Sequence, residues 1–135
     1  SGTNCLRQLT FGYLDMAWFG QHNDVDNVEE FERKAVEKTM LIEQDTPSAS
    51  ISTMFAHIFA GGYSAGYYSY KWAEVLDADA FEKFQEDGIF NKDTAKSFRD
   101  NILSQGNISH PLELYKHFRG REPKVEALLK REGLL

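Results

Sequence analysis

Cysteine, positive charge and long apolar runs are scarce in this sequence, and each scarcity excludes a class of protein. The one cysteine, Cys5, can form no disulfide within the chain and no cysteine cluster for a metal. Lysine and arginine number 15 against 21 acidic residues, and acids interrupt every basic stretch, so nucleic acid is a poor candidate partner. The single thiol fits a reducing compartment or simply an ordinary buried cysteine, and we expect a cytoplasmic location.

Segments that could enter or address a membrane are missing as well. The sequence contains no run of about 20 apolar residues, and its start has no basic segment followed by an apolar one. These absences predict a soluble chain with no membrane partner.

The recognised zinc-peptidase motif is also missing. His-Glu-x-x-His does not occur, so a zinc site cannot be assembled by its usual spacing. His110 and His117 are seven residues apart, about 10 Å along one helix, whereas two zinc ligands must each reach within about 2.1 Å of the ion. The sequence therefore predicts no metal ligands in this chain.

What the sequence does contain is enough apolar material for a core. It has 135 residues, of which 41% are hydrophobic and 13% aromatic, a composition that suits one folded domain over residues 1–135. Apolar residues recur at helical spacing, and no stretch alternates convincingly between apolar and polar residues. We therefore predict an all-α fold, an irregular helical bundle.

Caps and breakers place the helices along the chain. We predict a first helix over 4–19, a second that begins after a cap at Asp26, and a third over 51–59. A long helix should run from about Ser64 to Gly88, and another from Asn91 or Asp93 to Gly106. The last two helices should begin at Ser109 with Pro111 and lie around 125–129. A break is expected at Thr46-Pro47-Ser48. The apolar face of the first helix comprises Leu6, Leu9, Tyr13, Met16 and Ala17.

Two side-chain placements follow from the same periodicity. The Glu and Lys residues of the second helix, such as Glu30 and Lys34, should form a solvated face with weak pairing. In the long helix, Tyr68 and Trp72 should point toward the core.

The most informative segment is HIFAGGYSAGYYSYKW, at 57–72. Three glycines and four tyrosines fall within ten positions, 61–70. Gly61, Gly62 and Gly66 predict a loop that adopts unusual dihedrals, moves, or lets another backbone approach closely. If the following helix begins near Ser64, then Tyr63, Tyr67, Tyr70 and Glu74 share one face of it.

Phenols on one face suggest a chemical use. A neutral tyrosine can donate a hydrogen bond to a developing oxyanion without bringing a charge, and one such donor contributes roughly 100 to 1000-fold to turnover. The alternative is that the tyrosines pack at a helix interface with their hydroxyls in solvent. His57, just before the glycines, is open to the same two interpretations, as a substrate contact or as a structural histidine.

Segment 57–72 resembles the substrate loop of the thimet oligopeptidase family of zinc peptidases. The six-residue step from His57 to Tyr63 is similar to the peptidyl-dipeptidase (dipeptidyl carboxypeptidase) and oligopeptidase A branch. LDMAW at 14–18, residues 90–107 and FRGREP at 118–123 resemble flanking parts of that family. The resemblance covers nearly the whole chain but only the C-terminal part of the family's much longer helical polypeptide.

The resemblance implies a role for each residue of the loop. His57 would contact the substrate, Tyr63 and Tyr70 would bond the scissile carbonyl and steady the tetrahedral intermediate, and Tyr67 would line the same cleft. The glycines would let the loop close over a short peptide. The family's zinc is held by a motif that this sequence does not contain, which implies that zinc belongs to the full-length protein and that this chain alone is inactive.

Two further expectations remain open at this level. A portion of a two-sided cleft should expose an apolar face, through which the chain would self-associate. The alternative to a peptidase portion is a stand-alone helical module that uses the tyrosines to bind a ligand or protein without catalysis.

Overall fold

The computed structural model describes residues 2–20, 24–41 and 50–135, and within those ranges the regular structure is helical without strands. The elements are α1 (Gly2–Phe19), α2 (Val28–Val36), α3 (Ala56–Phe59), α4 (Ser69–Asp87), α5 (Lys92–Phe98), a π-helical segment (Arg99–Leu103), α6 (Pro111–Arg119) and α7 (Glu126–Arg131). The all-α prediction is confirmed. The predicted break at 46–48 lies outside the described residues.

The chain divides into two compact units, Ser1–Lys71 and Trp72–Leu135. The core of the first unit consists of Leu14, Val36, Phe55 and Ile58, which are buried, with partly buried apolar side chains around them. No helix of the described residues combines the length and apolar character that crossing a bilayer requires.

The second unit has two small apolar clusters and a buried ionic network. The clusters are Val75, Ala78, Ala127 and Leu128, and Ala80, Tyr115 and Phe118. Asp79 is fully buried and accepts hydrogen bonds from Arg121 Nη2 at 2.6 Å and from Tyr115 Oη at 2.6 Å. Burial alone would raise the pKa of Asp79, but these donors and the nearby guanidinium groups hold the pKa below its ordinary value.

The first helix has the predicted position but buries a different face. Leu9, Tyr13 and Met16, expected on its apolar face, are 38%, 47% and 44% exposed. Thr10, Leu14 and Asp15 are the buried residues of α1. Apolar periodicity missed this face because two of its three buried side chains are polar and satisfied by hydrogen bonds to residues distant in sequence.

Two of the predicted helix starts are off by one residue, and a third is correct. The cap of α2 is Asn27, which accepts from Glu30 N, and not Asp26. The cap of α6 is His110, whose Nδ1 accepts from Leu112 N, with Pro111 at the first helical position. Asn91 caps α5 as one of the two predicted candidates.

Two predicted helices are shorter than the apolar pattern indicated. In place of a helix over 51–59, only Ala56–Phe59 is helical, since residues before it form turns. The long helix α4 begins at Ser69, not near Ser64, and Tyr68 and Trp72 are 58% and 46% exposed instead of core residues. In both cases turns and bends occupy positions that helical spacing had assigned to helix, at residues 51–55 before α3 and at residues 64–68 in the glycine segment.

Candidate functional site

The segment between α3 and α4 folds back tightly on α3. Ala60 N and Gly61 N both donate to the carbonyl oxygen of Ala56, at 2.8 and 2.9 Å, and Tyr63 N donates to that of His57 at 3.2 Å. A Cβ at Gly61 would lie 2.8 Å from the His57 oxygen and 2.9 Å from its Cα, closer than side-chain carbons come. Gly61 is therefore needed for close approach of two backbones.

The next part of the segment uses left-handed backbone. Gly62 has φ of +79° and Ala65 has φ of +52°, a conformation that costs a non-glycine residue roughly 1–2 kcal/mol. A Cβ at Gly66, in contrast, would meet only ordinary contacts, the nearest at 3.5 Å from the Tyr63 oxygen. The geometry therefore requires glycine at positions 61 and 62 but not at position 66.

A buried carboxylate of α1 holds the turn that contains Ala65. Asp15 is fully buried, and its Oδ1 and Oδ2 accept the backbone N–H groups of Ala65 and Tyr67 at 2.8 and 2.9 Å. The ring of Phe11, one turn earlier on α1, packs edge-on against that of Tyr67 with centroids 5.7 Å apart. One face of α1 is thus the support on which the segment rests.

Four side chains predicted to act together do come together. The ring centroids of Tyr63 and Tyr70 are 5.4 Å apart, and those of Tyr67 and Tyr70 are 5.0 Å apart. The His57 ring lies 6.0 Å from that of Tyr63 and 6.1 Å from that of Tyr67. We call His57, Tyr63, Tyr67 and Tyr70 the phenol cluster.

The cluster does not arise in the way the sequence suggested. Tyr63 and Tyr67 precede α4, so the predicted helical face of Tyr63, Tyr67, Tyr70 and Glu74 does not exist as one helix. The turns of residues 61–68 bring Tyr63 and Tyr67 beside the first turn of α4. The predicted grouping of the phenols is found, but a loop produces it.

The members of the cluster differ in exposure. Tyr63 and Tyr70 are 37% and 41% exposed, and His57 is exposed, so a ligand can reach all three. Tyr67 is half-buried and packs on the core through Phe55, with ring centroids 4.9 Å apart. Tyr67 therefore lines the cluster and is less accessible as a hydrogen-bond donor than Tyr63 and Tyr70.

The environment raises the pKa of two of the phenols, Tyr70 and Tyr67. A hydrogen bond with Tyr63, followed by partial burial, raises the pKa of Tyr70 above its ordinary value. Burial raises the pKa of Tyr67 by more than the positive charge of Arg7 lowers it. Both hydroxyls are neutral hydrogen-bond donors near pH 7, which suits a carbonyl oxygen that gains negative charge.

A second buried carboxylate of the same unit holds residues 50–52, outside the phenol cluster. Glu32 of α2 is buried, and its carboxylate accepts from Ser50 Oγ, Ile51 N, Ser52 N and Ser52 Oγ at 2.7–2.8 Å. Burial alone would raise the pKa of Glu32, but these four donors outweigh it and lower the pKa. The exposed pair of Glu30 and Lys34, in contrast, lies on the solvated face that was predicted.

Sequence reasoning missed both supporting acids. Glu32 lies inside a charged run and looked like its solvated neighbours. Asp15 interrupts the apolar stretch LDMAW at 14–18, and a carboxylate in that setting is a signal for a buried, partnered group.

The described residues do not group into a metal site. Across residues 2–20, 24–41 and 50–135, no three side chains of His, Cys, Asp or Glu form a group that could hold a metal ion. His110 is engaged as the cap of α6. The ligand set expected of a zinc centre does not fit the described part of this chain.

Comparison with known proteins places the chain in a family. A family model described as peptidase family M3 matches residues 1–134. Oligopeptidase A of Escherichia coli is 47% identical over 130 residues, which are 96% of this chain and 19% of that protein. The probable cytosolic oligopeptidase A of Arabidopsis thaliana is 42% identical over 141 residues, 100% of this chain and 20% of that protein. The dipeptidyl carboxypeptidase of Salmonella typhimurium is 39% identical over 135 residues, 98% of this chain and 20% of that protein.

The chain therefore belongs to peptidase family M3. This confirms the resemblance that segment 57–72 and its flanks indicated, to the branch with oligopeptidase A and dipeptidyl carboxypeptidase. The chain spans about a fifth of the length of these relatives.

Proposed function

We propose that this chain is the C-terminal portion of a zinc-dependent oligopeptidase or peptidyl-dipeptidase, and that its phenol cluster forms part of the cleft that binds short peptides. The observation that carries the proposal is the cluster itself, in which two accessible phenols lie beside an exposed imidazole. The names of the relatives support a peptide as substrate.

Tyr63 and Tyr70 are the proposed donors to the scissile carbonyl. The centroids of their rings are 5.4 Å apart, and we assign both hydroxyls to one carbonyl oxygen of the peptide. The bonds strengthen as the oxygen gains charge in the tetrahedral intermediate, which is how such donors lower a barrier. His57 contacts the peptide from the adjoining side, and Tyr67 lines the cleft.

The glycines of the loop are assigned to substrate binding. Gly61 and Gly62 permit the sharp turn that places the Tyr63 ring 6.0 Å from that of His57, and they are the positions at which the loop would move when a peptide enters. Gly66 lies between the two residues whose N–H groups Asp15 binds, so that its backbone stays close to the cleft wall.

The zinc of the proposed peptidase is not held by the described residues, whose acids and histidines do not group in that way. Its ligands are assigned to a part of the full-length protein outside this chain. The chain alone is therefore expected to be inactive, and its own contribution is to bind and orient the peptide and to donate hydrogen bonds.

The test replaces single hydroxyls in the full-length protein encoded by the gene. Tyr70→Phe should lower kcat by roughly 100-fold with little change in KM, because the lost bond matters most in the transition state. Tyr68→Phe is the matched control, since Tyr68 belongs to the same segment but is 58% exposed and outside the cluster. Unchanged peptide cleavage by Tyr70→Phe would remove its proposed role, and a gene that encodes only these helices would favour a binding module.

A further inference from the structure

The carboxylate of Asp15 is joined to the phenol cluster through the backbone. It accepts the N–H groups of Ala65 and Tyr67, which lie 50 and 52 residues away in sequence. Its side chain has no exposure to solvent. A charge in such a place is tolerated when fixed dipoles replace the water it has lost, and these two N–H groups supply them.

The two hydrogen bonds that Asp15 accepts stabilise a turn whose backbone conformation is otherwise unfavourable. Ala65 has a left-handed φ of +52°, which a residue with a Cβ adopts only when its surroundings enforce it. One of the enforcing contacts is the bond from Ala65 N to Asp15 Oδ1 at 2.8 Å. The carboxylate therefore selects this turn over alternatives in which the N–H groups of Ala65 and Tyr67 diverge.

The anchored turn is linked directly to both proposed donors. Gly66 N, between the two anchored residues, donates to the carbonyl oxygen of Tyr63 at 2.9 Å. Tyr70 N donates to the carbonyl oxygen of Tyr67 at 3.3 Å. A shift of residues 65–67 on the surface of α1 would therefore displace Tyr63 and Tyr70 as well.

We propose that Asp15 is a positioning residue that sets the geometry of Tyr63, Tyr67 and Tyr70 for peptide cleavage; this rests on the function proposed above. Asp15 touches no substrate. It acts through the backbone of residues 65–67, and it restricts movement of the loop to the Gly61–Gly62 side of the anchored turn.

Glu32 offers a matched comparison within the same compact unit. It is also a buried carboxylate that accepts backbone N–H groups, but it holds residues 50–52 and not residues 65–67. Asp15→Asn and Glu32→Gln make the same chemical change, a carboxylate to an amide of equal size. Any effect due only to lost stability should appear in both variants.

The experiment uses the full-length protein and two independent readouts. Hydrogen exchange in overlapping peptides should show the Ala65 and Tyr67 amides exchanging about 10-fold or more faster in Asp15→Asn, because a bond to a charged acceptor is lost. Misplacing the donors should lower kcat by about 10 to 100-fold while KM changes less. Glu32→Gln should leave exchange at residues 65–67 and kcat within about 2-fold of wild type.

Each contrary result has a definite meaning. Unchanged exchange in Asp15→Asn, or equal loss of kcat in Glu32→Gln, would overturn the positioning role. If Asp15→Asn does not fold, hydrogen exchange of the wild-type protein tests the proposal. Ala65 and Tyr67 amides that exchange at the rate of an unprotected chain would show that Asp15 does not hold them. Failure of the proposed function is seen separately, as normal kcat in Tyr70→Phe, whatever the exchange data show.

Discussion

Tyr63 and Tyr70 lie with their ring centroids 5.4 Å apart, and a hydrogen bond between them raises the pKa of Tyr70. Seven residues separate the two in sequence, and only Tyr70 is in a helix. The pair is thus held by the turns of the loop on one side and by the first turn of α4 on the other. Any movement of the loop relative to α4 must first change this contact.

Removing the Tyr63 hydroxyl should lower the pKa of Tyr70 toward its ordinary value of about 10, because the protonated phenol loses its partner. The measurement is ultraviolet difference titration of Tyr63→Phe against Tyr63→Phe/Tyr70→Phe, which isolates Tyr70. The same difference for wild type against Tyr70→Phe should titrate at higher pH. Equal midpoints in the two differences would contradict the contact.

Gly61→Ala and Gly66→Ala should differ in their effect on the unfolding free energy, because only position 61 lacks room for a methyl group. The added methyl group at position 61 would lie 2.8 Å from the His57 oxygen, so the turn must open and the protein should lose about 1–3 kcal/mol of unfolding free energy. At position 66 the nearest atom is 3.5 Å away, and the change should stay within about 1 kcal/mol. Denaturant unfolding measures both, and an equal cost at the two positions would show that this loop geometry is wrong.

Glu32 should make stability depend on pH in the acid range. Its folded-state pKa lies below that of the unfolded chain, so its contribution is complete above about pH 4.3 and is lost as the pH falls through the folded-state pKa. Glu32→Gln should cost roughly 1–3 kcal/mol at neutral pH, and the difference from wild type should shrink on acidification.

Glu30→Gln is the control for that measurement. Glu30 lies on the same helix, but it and its partner Lys34 are 53% and 68% exposed, and solvent screening leaves such exposed pairs with little effect on stability. Urea unfolding of both variants between pH 7 and acid conditions supplies the comparison. A loss of unfolding free energy in Glu30→Gln as large as that in Glu32→Gln would contradict a stabilising role for the hydrogen bonds of Glu32.

The 135-residue chain should self-associate through the exposed face of α1. Leu9, Tyr13 and Met16 are spaced along that face and are each more than a third exposed, although all three are large and apolar. Leu9→Lys should shift sedimentation toward the monomer, while Leu41→Lys, which changes a residue 77% exposed outside α1, should not. A clean monomer of the wild-type chain at high concentration would count against this face as an association surface.

Local signals were sufficient where a helix end or a turn is made by adjacent residues. Asn91 as a cap, Gly120 with φ of +79° after α6 and the stop near Gly106 all follow from short-range backbone chemistry. The limits of α1 and α4 at Phe19 and Asp87 also agree with the patterns. The same periodicity failed at residues 51–55 and 64–68, because apolar residues in turns can mimic helical spacing by chance.

The sequence by itself determined the all-α class, the C-terminal ends of α1, α3 and α4, the family resemblance and the residues of the phenol cluster, since each depends on neighbours in the chain or on motif identity. Only the tertiary structure decided which acids are buried and why the phenols meet. The N–H donors of Asp15 lie about 50 residues away in sequence, and those of Glu32 lie about 20 residues away. The guanidinium partner of Asp79 lies 42 residues away. Whether a carboxylate can leave water depends on such distant donors, and no local pattern records them.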